Sequence, residues 1–329
     1  MRQEHSGHDP HSGHGGHSAP MLFSDVNLDP EVAGRGLSEH IAAQGTRAEE
    51  LRAAAAGMPS VFDKANADDL LVTAEQTRPD QSEFGDENAA AYRNAVLKLV
   101  EDGTYREIVL IHADMSHNMH GSMGPVGVLR FLAWHRRYLM AFDEALKEAD
   151  RALRPAAATP VSIPYWRWVD PFPAWLADFL PARHPQTGDP LPARKLAPPS
   201  SKPTAADILT IIEGFEQQLP GQDVDGYTRF TWGLEGNGRR PDGSRLPAHN
   251  QVHAWVGGIM NNTMFSPADP VFWLLHAEVD RLWHLWQLRH PDLHPALTGA
   301  DRIMDPWPES YDDVSSIGAL GYDYASVEP

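Results

Sequence analysis

Two histidines four residues apart, in the run His249-Asn250-Gln251-Val252-His253, are the feature that most restricts how this chain can fold. On an α-helix, residues i and i+4 lie one turn apart on the same face, so the two imidazoles can bind one metal ion. The same spacing also arises by chance on polar helix faces, and the pair alone does not choose between these interpretations. Zinc peptidases place a glutamate general base directly after the first histidine, whereas this chain has Asn250 there. A hydrolase site would therefore lack its base.

A third histidine, His276, follows in the run DPVFWLLHAEVDRLW at 269–283, where apolar residues at helical spacing predict a helix. On that helix Phe272 can pack against the imidazole, and Asp280 can orient it or a neighbouring backbone group. His284 lies two turns from His276 and is predicted to be a polar neighbour or surface residue rather than a fourth ligand. The chain has 17 histidines and no cysteine. The absence of cysteine excludes thiolate zinc sites, iron–sulfur clusters and disulfide scaffolds. Three neutral imidazoles suit copper or zinc, and copper(II) binds such sites more tightly.

A second group of four histidines lies upstream, in the runs IHADMSHNMH and FLAWHRRYL: His112, His117, His120 and His135. Three of these four can form a second trigonal site. His135 falls on an otherwise apolar helix face, where an unpaired imidazole would be costly to bury. Two groups of three favour a dinuclear metal site over isolated histidines in a core.

Apolar residues at helical spacing predict a mainly α-helical protein with long loops. The predicted helices are Glu87–Glu101, Thr104–Met115, Val128–Arg154, Ala205–Gln218, His249–Val256 and Pro270–His290, with a further one at Arg47–Ala56. Between Pro155 and Pro247 the chain is rich in proline and glycine and is predicted to be mostly loop. The helices that carry histidines are candidates for a bundle.

The first 20 residues form a separate segment that is rich in His, Gly and Ser. Low complexity predicts a flexible tail at 1–20, followed by a single domain at 21–329. The tail histidines can gather metal weakly, and a plain solvated tail is the alternative. The net charge of −18 disfavours nucleic acid and anionic membranes as partners. No long apolar run and no signal peptide is visible, which favours a cytoplasmic location.

Two parts of the sequence resemble the copper signatures of the type-3 copper family, which includes tyrosinases, catechol oxidases, o-aminophenol oxidases and molluscan-type hemocyanins. FLAWHRRYLMAFDEAL at 131–146 resembles the first signature, and HNQVHAWVGGIM at 249–260 with SPADPVFWLLHAEVDRLW at 266–283 resembles the second. Tyr322-Asp323-Tyr324 matches the pattern that closes the family's catalytic domain. The resemblance implies a central four-helix bundle that holds a dinuclear copper site, with a copper core spanning residues 87–324.

The resemblance also implies the metal ligands. They are His249, His253 and His276 for the second copper, and His112, His120 and His135 for the first. The family's usual second ligand of the first copper lies a few residues before the FLxWH stretch, where this chain has Pro125 and Val126. The ligand is therefore His120 or His117. We expect His120, because the chain there has left the preceding helix and can turn back.

The implied activity is that of a tyrosinase-like dinuclear copper oxidase, which uses O2 to hydroxylate monophenols and to oxidise o-diphenols to o-quinones. Asn250 and Glu235 are expected to hold the water that deprotonates a monophenol. Ala254 is small and uncharged where some relatives carry arginine, so decarboxylated or bulky phenols are expected to be accepted at least as well as tyrosine. The alternatives are an o-aminophenol oxidase, a catechol oxidase without monophenolase activity and, more remotely, an O2-binding hemocyanin-like protein. A copper-delivery partner is a further expectation, although the histidine-rich tail could serve instead.

Overall fold

The computed structural model describes residues 22–23, 76–214, 225–240, 242–326 and 328. The predicted tail at 1–20 and the predicted helix at Arg47–Ala56 lie outside the described residues. Within them, none of the helices is long and apolar enough to cross a membrane.

Regular structure in the described residues is almost entirely helical, as the sequence predicts. The helices are α1 (Gly85–Glu101), α2 (Thr104–Ala113), α3 (Pro125–Leu153), α4 (Ala205–Glu213), α5 (Gly226–Trp232), α6 (His249–Val256), α7 (Val271–Arg289) and α8 (Tyr311–Val314). The strands are β1 (Gln76–Arg78) and β2 (Tyr322–Tyr324), which pair in parallel with Gln76 opposite Tyr322. The prediction of a mainly α-helical fold is confirmed.

The long helix α3 lies at the centre of the fold and packs against α1, α2, α5 and α7. It begins at Pro125, three residues before the predicted start at Val128. Proline is suited to the first turn of a helix because its missing N–H has no partner there and its φ is already helical. The glycine before it has a φ of 115°, which lets the chain enter the helix sharply.

The helix α5 is a second α-helix in the stretch between Pro155 and Pro247, where the sequence predicts one helix at Ala205–Gln218 and otherwise loop. Asp225 precedes it and accepts the N–H of Thr228 at 2.8 Å, which satisfies a free donor of the first turn. Tyr227 and Phe230 are buried by packing on the core. Tertiary burial therefore stabilises a seven-residue helix that is too short to show a clear period in the sequence.

A buried charge network surrounds Asp280, next to the paired strands β1 and β2. Asp280 on α7 accepts the hydroxyls of Tyr322 and Tyr324 at 2.6 Å each. The same carboxylate pairs with Arg136 Nε at 2.5 Å and with Arg78 Nη1 at 3.3 Å. Asp280, expected from its spacing to orient His276 or a nearby backbone group, instead joins α3, α7 and the two strands.

Candidate metal centre

The first triad of imidazoles combines two helices and the connection between them. His112 lies near the end of α2, His135 lies within α3, and His120 lies in the segment that joins the two helices. The Nε2 atom of His112 is 3.3 Å from that of His120 and 3.4 Å from that of His135. All three residues are buried.

The second triad comes from α6 and α7. His249 and His253 lie one turn apart on α6, and His276 faces them from α7. The Nε2 atom of His276 is 3.2 Å from Nε2 of each partner. These residues are also buried, and in each triad the ligand atoms lie within 4.8 Å of one another.

Backbone carbonyls fix the tautomer of half of these imidazoles. Nδ1 lies within hydrogen-bond distance of a carbonyl oxygen in three rings: His112 with Met264 at 3.1 Å, His135 with Phe131 at 2.8 Å and His253 with Met260 at 2.9 Å. A carbonyl oxygen only accepts, so Nδ1 carries the proton and Nε2 carries a lone pair. The Nε2 atoms of His112 and His135 therefore face each other with their lone pairs 3.4 Å apart, and a cation placed between them removes the repulsion. The donor set therefore fits one metal ion in each triad.

The surroundings keep all six imidazoles neutral, which is the state that binds metal. Burial lowers the pKa of His120 to about 3. Burial also holds the pKa well below its ordinary value in the other five, and neighbouring imidazoles add to the effect: His112, His135, His249, His253 and His276. A proton therefore competes poorly with a metal ion at these nitrogens.

Two phenylalanines pack between the triads. Phe272 stacks on His276 with 4.1 Å between ring centroids, as the four-residue spacing suggests. Phe131 lies 4.6 Å from the ring of His135 and 5.0 Å from that of His249. Phe131 was not among the predicted site residues, although its position four residues before His135 on α3 places it on the same helix face.

The structure brings His120, rather than His117, to the first triad. His117 lies in a separate 3-10 turn, where its Nδ1 is 2.6 Å from a carboxylate oxygen of Asp305. Its ring also stacks on Trp134 at 5.8 Å. His284 is only partly buried and lies outside both triads.

Close backbone packing holds the segment that carries His120 against α3. A Cβ atom at Gly127 would lie 1.9 Å from the carbonyl oxygen of His120. Only glycine permits this approach, which lets His120 turn back toward His112 and His135. The connection between α2 and α3 is therefore a tight return loop.

The predicted pair Glu235 and Asn250 lies beside the triads, one residue at each. Glu235 is 3% exposed, accepts the N–H of Gly121 at 3.0 Å, and has an oxygen 3.6 Å from Nδ1 of His120. Burial raises the pKa of Glu235 to about 8, and the hydrogen bond from Gly121 opposes that shift. The Asn250 side-chain oxygen lies 2.7 Å from Nδ1 of His249.

Several known proteins are similar to this chain. The family model described as the common central domain of tyrosinase matches residues 102–205 and 184–289. A tyrosinase from Streptomyces glaucescens is 32% identical over 254 residues, covering 66% of this chain and 86% of that protein. A grixazone synthase from Streptomyces griseus is 26% identical, covering 68% of this chain and 84% of that protein.

Two solved structures share the fold. A functional unit of octopus hemocyanin superposes with a TM-score of 0.53 at 19% identity, covering 77% of this chain and 68% of that one. A recombinant mushroom tyrosinase gives a TM-score of 0.53 at 18% identity, covering 77% of this chain and 62% of that one. At this level of identity the likeness concerns the fold alone.

Proposed function

The chain belongs to the tyrosinase family of type-3 copper proteins, and we propose that it uses O2 to hydroxylate monophenols and to oxidise o-diphenols to o-quinones. Family membership makes it a tyrosinase-type copper oxidoreductase, and the family implies a dinuclear copper centre that the two triads fit. The choice of substrates and the part played by each residue belong to the proposal.

The observation that carries the proposal is the pair of converging imidazole triads. His112, His120 and His135 would hold one copper, and His249, His253 and His276 would hold the other. Hydrogen bonds from Nδ1 to backbone carbonyls orient three of the rings, so little rearrangement is needed when metal binds. Two bound copper ions supply the electrons that reduce O2 and the oxidising power that acts on the phenol ring.

Burial of the site has a chemical role of its own. The six imidazoles are at most 2% exposed, and Phe131 and Phe272 each pack against imidazoles of both triads. This apolar surrounding limits access of bulk water and of competing ligands to the metals. Aromatic rings pack readily on imidazole faces, so a small phenol fits the character of the site.

Monophenol hydroxylation also needs the phenol oxygen to lose its proton. We assign Glu235 and Asn250 to hold the water that takes this proton. The placement supports the assignment, because both side chains are buried, one beside His120 and the other beside His249. The amide of Asn250 would also orient His249 by accepting the proton on its Nδ1.

Relatives with the same fold include an oxygen-binding class, so turnover is the decisive property. The test measures O2 consumption by the copper-loaded protein on monophenols, catechols and o-aminophenols, with the metal-free protein as control. Copper-dependent consumption with both monophenols and catechols is the expected result. Catechol turnover alone would make the protein a catechol oxidase, and preference for o-aminophenols would make it an o-aminophenol oxidase. Reversible O2 binding without turnover would contradict the oxidase proposal.

A further inference from the structure

A phenylalanine from near the start of the chain lies on the metal centre. The ring of Phe23 stacks on the imidazole of His253, with 4.0 Å between ring centroids and 25° between the planes. Its edge-on contacts are with His249 at 5.5 Å and with His120 at 6.2 Å. Phe23 therefore contacts imidazoles of both triads, and it is only 3% exposed.

Backbone pairing holds this ring in place. The N–H of Phe23 donates to the carbonyl of Asn261 at 2.9 Å, and Leu22 forms an isolated antiparallel bridge with Asn262. The 3-10 turn that accepts this hydrogen bond also provides the carbonyl that accepts Nδ1–H of His253. One short turn thus positions both the imidazole and the ring stacked on it.

The position of Phe23 excludes a second ring. The exposed face of an imidazole at a copper site is where an aromatic substrate can pack, and one face accommodates one ring at stacking distance. A phenyl group has no hydroxyl, so Phe23 can neither lose a proton nor bind a metal through oxygen. Phe23 therefore occupies the place of an aromatic ring without having the group on which the proposed reaction acts.

We propose that Phe23 is an intramolecular plug, which fills the position of the aromatic substrate and must leave before a phenol can bind. This inference rests on the proposed function and adds a means of regulating the same site. The plug blocks ring-shaped ligands at His253 but leaves the metals accessible to small molecules such as O2 and azide.

In this proposal Phe23 enters and leaves the site reversibly. Within the described part of the chain, the Leu22–Phe23 pair is held by a backbone hydrogen bond, a bridge and ring contacts. When a binding-competent state is only partly populated, the apparent dissociation constant of its ligand rises by the reciprocal of that population. The plug therefore raises KM for phenols and leaves kcat at saturation nearly unchanged.

The first test compares the copper-loaded full chain with its F23A variant in steady-state turnover of a catechol. Removal of the ring should lower KM by about tenfold while kcat changes by less than about twofold. The matched control is L22A, which keeps the backbone pairing and the stacked ring and should retain the wild-type KM. An F23A variant that binds two copper ions and has the wild-type KM would overturn the proposal.

A second test uses binding and needs no turnover. Benzoate is a ring-shaped carboxylate and azide is a small linear anion, and calorimetry gives the affinity of each for the copper-loaded protein. F23A should bind benzoate about tenfold more tightly than wild type and azide equally well. Equal benzoate affinity of F23A and wild type would contradict the plug. A parallel change in azide affinity would also contradict it, because such a change locates the effect at the metals themselves.

Failure of the plug proposal and failure of the oxidase proposal give different results in these measurements. If no phenol is oxidised by either protein, the oxidase proposal fails, and benzoate binding still decides whether Phe23 blocks the site. If F23A folds poorly, F23L replaces it, since leucine keeps the apolar burial and removes the ring. F23L should then show a benzoate affinity between those of wild type and an unblocked site, whereas wild-type affinity would overturn the proposal.

Discussion

The imidazoles of His135 and His276 stack with 4.6 Å between their centroids and 16° between their planes, and they join the two triads. His135 belongs to α3 and His276 to α7, the two longest helices of the described residues. The packing of these helices therefore sets the separation of the two metal positions.

The copper content of two variants tests whether His120, rather than His117, is a metal ligand. H120A should halve the copper bound per chain, because one triad loses an Nε2 donor. H117A should keep the full content, since His117 pairs with Asp305. The measurement is metal analysis after dialysis against a large volume of buffer that contains no chelator. The reverse pattern would contradict the assignment of His120.

The water-holding role of Glu235 predicts a selective kinetic effect. E235Q should lower kcat on a monophenol more than about tenfold and change kcat on a catechol much less, because only the monophenol needs prior deprotonation. Glutamine keeps the size of the side chain and can still accept the N–H of Gly121. Equal loss on both substrates would remove the role, and an accompanying loss of copper would identify Glu235 as a positioning residue for His120.

The buried network at Asp280 predicts a large effect on stability. D280N removes the charge that compensates Arg78 and Arg136, and we expect it to lower the free energy of unfolding by about 3–5 kcal/mol. The control is D102N, which breaks an exposed pair with Lys98 and should cost about 0.5 kcal/mol or less. Urea unfolding of the metal-free proteins measures both. Equal stability of D280N and wild type would contradict the network's importance.

The same network predicts how stability depends on pH. Burial alone would raise the pKa of Asp280, but Arg136 and Arg78 outweigh it and hold that pKa below the ordinary value of 3.8. A carboxylate with a lowered folded-state pKa stabilises the protein above its unfolded-state pKa, and that stabilisation disappears as pH falls through the folded-state pKa. Wild type should therefore lose stability below pH 3.8 more steeply than D280N. Parallel pH profiles would contradict this.

Ala254 predicts the preference among monophenols. It is partly exposed beside His253 and offers no charge to a substrate carboxylate. Wild type should turn over tyramine at least as efficiently as tyrosine, and A254R should raise the tyrosine-to-tyramine ratio of kcat/KM by about threefold. A wild-type ratio well above one would contradict the prediction.

Histidines at helical spacing made much of the site predictable. His249 and His253 differ by four residues, so any helix through them places both on one face, and α6 has the predicted bounds. His120 was harder to place, because its position depends on a loop that returns only where Gly127 allows the close approach. The sequence around His117 has no feature that shows its pairing with Asp305, 188 residues away.

Long-range contacts explain what the sequence could not show. Glu235 reaches His120 because the chain bends at Gly236, whose φ of 113° interrupts a π-helical turn after α5. Phe23 lies 230 residues before His253, on which it stacks, in a part of the chain without a recognisable motif. Neither contact follows from local periodicity, since both depend on how separate segments pack.

The most direct test of the central claim traces the oxygen atom added to a monophenol. Copper-loaded protein is supplied with oxygen-18 gas and a monophenol, and ascorbate reduces the o-quinone to a catechol before mass analysis. A dinuclear copper monooxygenase built on the two triads should give a catechol with one labelled oxygen from O2. Unlabelled catechol, or no catechol from a protein that retains both copper ions, would contradict the account.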